Sequence, residues 1–196
     1  MLFLSAKTRC ASKGFTLVEL LITVAIAAIL LGIAAPSLQG IILSNRVQSA
    51  SSEFQSALAM ARSEATKRGG DARVTVVANS KNGATPIWAS GVTVFYDTTS
   101  NANNNAPPTD ASTLLMRTSA FPDGVLVNVN FNHLIYNGLG RTISSDGAPL
   151  AGTAAFGAAN STWHCNIISF SGRARSARVS SDAYNAPAPA GGCATN

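Results

Sequence analysis

Charge is scarce in this chain: nine acids stand among 196 residues, and 12% of positions are charged. The acids fall singly, with no close pair placed for acid–base work. Histidine occurs only at 133 and 164, and cysteine only at 10, 165 and 193. Cys165 and its neighbour His164 are too few ligands for a metal centre, so neither a metal nor a cofactor is expected. His133, beside Leu134 and Ile135, reads as a structural histidine in a strand. A Cys165–His164 nucleophile competes with simple oxidation of the thiol. No glycine-rich stretch has phosphate-loop spacing; Gly69-Gly70 reads as a helix stop and Gly191-Gly192 as part of a tail. An enzyme is therefore not expected.

The scarcity is most complete over 15–35, FTLVELLITVAIAAILLGIAA, where Glu19 is the single formal charge. Twenty-one residues of helix rise about 30 Å, enough to cross a bilayer. A carboxylate inside such a segment is costly and calls for a partner. Residues 1–14 carry Lys7, Arg9 and Lys13 and no acid, so the positive-inside tendency keeps them cytoplasmic and exports the rest. An ordinary secretory signal cut near Gly32-Ile33-Ala34 is the bland alternative, but the apolar run is too long for one and contains Glu19. A lipoprotein site at Cys10 would need small residues before it, and Thr8-Arg9 stand there.

The residues KGFTLVELL (13–21) resemble the processing site of type IV prepilins and pseudopilins, with Gly14, Phe15 and Glu19 in the three diagnostic places. The resemblance implies that a prepilin peptidase cuts between Gly14 and Phe15 and methylates the new terminus at Phe15. Gly14, lacking Cβ, lets a protease approach the backbone closely. The family further implies that Glu19 pairs, within the membrane, with the amino-terminal amine of a neighbouring subunit. Opposite charges attract strongly at low dielectric, which would set the register of subunit addition. A tolerated interfacial acid is the plain alternative for Glu19.

Removal of the leader leaves 11 Lys+Arg against 9 Asp+Glu over 182 residues. The basic balance of the whole chain thus belongs partly to the leader and is not a nucleic-acid signature. About 160 residues remain beyond the apolar run, enough for one domain with a real core. In an exported chain, Cys165 and Cys193 read as one disulfide, with two free thiols as the alternative.

Beyond Pro36, where a kink is expected, Val47, Ala50, Phe54, Leu58, Ala61 and Ala65 recur at three- and four-residue steps. This stripe suits a helix lying on a sheet. Lys67 and Arg68 sit at its negative end before the glycine stop. Short β-branched or aromatic runs follow at 73–78, 91–96, 113–119, 125–131, 133–136, 166–170 and 174–179, separated by turn signals such as Asn82-Gly83, Asn137-Gly138 and Ser171-Gly172. One helix and then many strands predicts an α+β fold. The expected divisions are a leader (1–14), a transmembrane and assembly helix (15–35), its amphipathic continuation (36–68) and a β-rich domain (69–196). The polar stretch between Thr98 and Ser112 reads as a loop, and the ending as a flexible tail.

The helix end ARSEATKRG (61–69), Trp88 followed by GVTVFYD (91–97), and ISFSGRAR (168–175) extend the resemblance over the whole chain. They are similar to the H-type pseudopilin/FimT-FimU minor-pilin group, which implies a pilin-like fold with antiparallel sheets packed on the long helix. Gly172-Arg173-Ala174-Arg175 also matches a GRxR motif associated, in the FimT branch, with DNA binding during natural transformation. Arg173, Arg175 and Arg178 lie within six residues, with no acid nearer than Asp182. In an extended strand Arg173 and Arg175 share a face and suit successive phosphates; a solvated hairpin is the alternative. The implied function is a minor pilin that helps initiate or cap a type IV pilus. Its implied partners are other pilins, the peptidase, the inner membrane and its assembly machinery, and DNA through phosphate contacts. The alternatives are the H pseudopilin near the tip of a type II secretion pseudopilus, and a membrane-anchored DNA receptor outside any filament.

Overall fold

The computed structural model describes residues 14–82, 85–97, 113–158, 162–179 and 193, with residues 33–37 in backbone alone. The leader to residue 13, the polar loop and most of the tail lie outside these. The chain divides into two compact units, Met1–Gly40 and Ile41–Asn196.

One helix, α1 (Leu17–Arg68), runs through residues of both units. In the first unit every described side chain from Gly14 to Gly32 is exposed. Among the described residues no helix is long and apolar enough to cross a membrane. The apolar run read from the sequence extends to Ala35, three residues past the last side chain described in that stretch.

In the second unit α1 buries one stripe. Val47, Ala50, Phe54, Ala57, Leu58, Ala61 and Ala65 are each at most 1% exposed, following the 3.6-residue period of the sequence. The helix ends where Gly69 takes a left-handed φ of 62°, a conformation open to a residue without Cβ. Lys67 and Arg68 in the last turn both pair with Glu64.

Among the described residues nine strands follow: β1 (Arg73–Asn82), β2 (Thr85–Tyr96), β3 (Leu114–Arg117), β4 (Leu126–Val129), β5 (His133–Asn137), β6 (Thr142–Ile143), β7 (Gly152–Gly157), β8 (Trp163–Ile168) and β9 (Ala174–Val179). They form two antiparallel sheets, ordered β3-β2-β1-β5-β6 and β4-β7-β8-β9. The α+β reading of the sequence thus describes the fold. Alternate residues of β1 and β2 (Val74, Val76, Val92, Val94) meet the helix stripe, and Ala154, Phe156 and Ile168 of the second sheet join the same core. Each fully buried aliphatic or aromatic side chain here stabilises the fold by roughly 1.5–3 kcal/mol. Phe54 stands at the junction: its ring centroid is 6.1 Å from Trp88 and 5.4 Å from Phe156.

A buried polar seam fixes α1 over the second sheet. Asn166 of β8, fully buried, donates from Nδ2 to Ser51 Oγ at 3.1 Å, and its Oδ1 accepts from Gln55 Nε2 at 2.5 Å. A buried amide left unpartnered costs about 1–3 kcal/mol, so sliding of the helix against β8 is penalised.

Two strands escape the sequence reading. The two-residue β6 is one. The other is β7, GTAAFG, which is central in its sheet. Its small residues answer to neighbouring aromatic rings: a Cβ on Gly157 would run into the Trp163 indole, and one on Gly152 into the Phe131 ring. Close packing replaced the β-branched composition that marks a strand.

Candidate functional site

The amino-terminal site begins with a helix cap. Thr16 stands just before α1, and its carbonyl accepts the first helical bond, from Leu20 N–H at 3.2 Å. Thr16 Oγ1 accepts from Glu19 N–H at 3.2 Å, while Glu19 Oε2 accepts from Thr16 N–H at 3.0 Å and from Thr16 Oγ1 at 2.8 Å. This is a reciprocal capping box, T-x-x-E, which satisfies donors that a helix start leaves orphaned. The four-residue signal is plain in the sequence, and reading Glu19 only for its charge passed over it. Phe15 is 72% exposed, and a Cβ on Gly14 would meet nothing within 4 Å. Both residues that flank the bond are thus exposed.

The second candidate lies on the hairpin of β8 and β9. Its turn carries Gly172, whose N–H donates to Ser169 O at 2.8 Å. Arg173 precedes β9, and its carbonyl accepts from Ser169 N–H at 3.0 Å. Arg175 pairs across with Ile167, and Arg178 with His164. Residues 175 and 178 are an odd number apart, so strand alternation sends them to opposite faces. Arg173 and Arg175 line one hollow of about 460 Å³ with Ile167, Ser169 and Ser171. Arg178 lines another, about 340 Å³, with Gln48, Ser52 and His164 beside the helix. Arg173 and Arg175 thus share one hollow, as the strand alternation read from the sequence places them, and Arg178 lines another. None of the three forms an ion pair among the described residues.

Cys165 of β8 is bonded to Cys193, with a Cα–Cα distance of 5.9 Å and a sequence separation of 28. The bond pins the one described residue of the tail beside Trp163 and Val179, and the loop it closes contains all of β9. The thiol is consumed, so the Cys165–His164 nucleophile does not exist in this structure. On the chain-entropy model the closure contributes about 3–4 kcal/mol. The double substitution Cys165→Ser/Cys193→Ser should lower the free energy of urea unfolding by that amount; equal midpoints for the two proteins would rule out the contribution.

Burial lowers the pKa of His164, and the guanidinium of Arg178 lowers it further. Burial also lowers that of His133, helped by Arg73 and opposed by Asp97. Both are held toward the neutral form. Among the described residues no group of three or more His, Cys, Asp or Glu could hold a metal ion.

Comparison with known proteins bears on both ends of the chain. The prokaryotic N-terminal methylation motif matches residues 9–35. The family described as type II transport protein GspH matches residues 50–182. A solved structure, the type IV minor pilin FimU of Pseudomonas aeruginosa (strain PAO1), is similar with 20% identity and a TM-score of 0.49. That match covers 66% of this chain and 91% of the other. No curated protein matches. With the family match spanning well over half its length and the methylation motif ahead of it, the chain belongs to the GspH family of type IV pilin-like proteins.

Proposed function

We propose that the chain is a minor pilin, cut between Gly14 and Phe15, methylated at Phe15, held in the inner membrane by the helix from 15 to 35, and then added to a type IV pilus. The observation that carries the reading is the methylation motif over 9–35 running directly into a helix whose large apolar side chains are uncovered. Leu17, Ile29, Leu30 and Leu31 are 62–73% exposed. Apolar surface of this extent calls for lipid or neighbouring helices. Mass spectrometry should find methylated Phe15 as the terminus of the protein in sheared filaments. An intact leader there, or absence of the protein from those filaments, would sink the proposal.

The family match favours a second reading, a pseudopilin at the tip of a type II secretion pseudopilus. Deletion of the gene separates the two: loss of surface fibres supports the pilus, and loss of exported folded proteins with fibres intact supports the pseudopilus.

DNA capture belongs to the same proposal. Arg173 and Arg175 share a hollow with no carboxylate among the described residues of its lining, which suits phosphate oxygens. The substitutions Arg173→Gln/Arg175→Gln should take about 2 units off the slope of log K against log salt for duplex DNA. An unchanged slope would remove these two residues from the site.

A further inference from the structure

A groove of about 430 Å³ lies between α1, β5 and the β8–β9 turn, and an arginine lines it from each side. Gln55, Arg62 and Thr66 line it from the helix, Tyr136 from β5, and Gly172 and Arg173 from the turn. Arg62 and Arg173 are far apart in sequence yet both line this groove, and no carboxylate stands among the described residues of the lining. The ion pairs of the described residues both belong to Glu64, with Lys67 and Arg68. Neither Arg62 nor Arg173 has an acidic partner among those residues.

Arg62 is also held in place. Its Nη2 donates to Ser171 O at 3.3 Å, which occupies one of five N–H donors. A Cβ on Gly140 would lie 3.2 Å from Arg62 Nε and 2.8 Å from Thr66 Cγ2, and one on Gly172 would collide with the Gly140 carbonyl oxygen. Two glycines thus close the turns tightly against the Arg62 side chain. A guanidinium fixed in advance loses less freedom when it binds an oxyanion. Arg173 lines this groove and also the hollow of Arg175, so the two depressions adjoin along Arg173 and Ala174. Arg62, Arg173 and Arg175 thus line two depressions that adjoin over two residues, whereas Arg178 lines a third hollow with His164 that meets the groove only at Gln55.

We propose that Arg62, and not Arg178, is the third phosphate-binding residue of the DNA site, so that a nucleic-acid backbone tracks from the helix groove across Arg173 to Arg175. The inference rests on the DNA reading of Arg173 and Arg175, and its test separates the two. The full chain in non-ionic detergent is titrated with a labelled duplex oligonucleotide over a range of NaCl. Arg62→Gln should reduce the slope of log K against log salt by about 0.9, and Arg62→Lys, which keeps the charge, should retain it. Arg178→Gln should leave the slope as it was. Equal slopes for Arg62→Gln and the unmodified chain, while Arg173→Gln/Arg175→Gln loses its share, overturn the role of Arg62 alone. Loss of slope in Arg62→Lys as in Arg62→Gln makes Arg62 a support for the turn and overturns its phosphate contact. No DNA binding by the unmodified chain overturns both readings. Arg62-dependent binding to phosphatidylglycerol–phosphatidylcholine vesicles without binding to DNA reassigns the groove to lipid headgroups and overturns the nucleic-acid track.

Discussion

Replacing Phe54 with alanine should lower the stability of the β-rich unit by about 3–5 kcal/mol, the range for emptying an aromatic site in a core that cannot collapse. Phe54 is completely buried and touches rings from both sheets, Trp88 of the first and Phe156 of the second. Phe156 in turn meets Phe121, and Trp88 meets Phe131 edge-on at 5.4 Å between centroids. The cavity would therefore open where three layers meet, with stiff rings on its walls. Met60, on the same helix but 36% exposed, is the internal control, and its alanine variant should change stability by less than about 1 kcal/mol. Denaturant unfolding measures both. A Phe54→Ala protein within about 1 kcal/mol of the parent would mean that the two sheets and the helix do not share one core.

The second large effect concerns Glu19, and the capping box sharpens its test. A glutamine at position 19 can still accept from Thr16 N–H and preserve the cap, but it cannot pair with a cation. Alanine loses both roles. If the charge of Glu19 meets the amine of Phe15 on a neighbouring subunit, Glu19→Gln and Glu19→Ala should fail alike in filament incorporation. Stripping one partner from a buried ion pair costs about 3–5 kcal/mol, roughly a hundredfold or more in the equilibrium of addition. Cleavage at Gly14-Phe15 should proceed in both variants. Quantitative immunoblots of sheared filaments, scaled to the membrane fraction, give the answer. Rescue by glutamine would reduce Glu19 to a helix cap.

The helix stripe was legible because its period is carried by side chains that all face one way: Val47 through Ala65 lie where the three- and four-residue steps put them. Ala57, outside that stripe in the sequence reading, is buried with it because alanine fits wherever the helix approaches a sheet closely. The strand 174–179 was legible from its bounds but not from its charges. Arg178 follows Arg175 at an odd spacing, and the alternation that aligns residues two apart separates these two. That separation is available in the sequence. The partnership of Arg62 with Arg173 was not, because only the packing of α1 beside the β8–β9 turn brings them to one groove. Strand β7 stayed hidden for a related reason: its alanines and glycines answer to rings on neighbouring elements, so the cause of its composition lies elsewhere in the chain. The cysteine pair shows the opposite case, where compartment and count alone indicated the bond that the structure contains.

Among the described residues, every buried member of the core lies at Val47 or beyond, within the second compact unit. For the pilin proposed above, moving the stem from lipid to a sheath of sister stems would exchange the surroundings of side chains that are already exposed in the first unit.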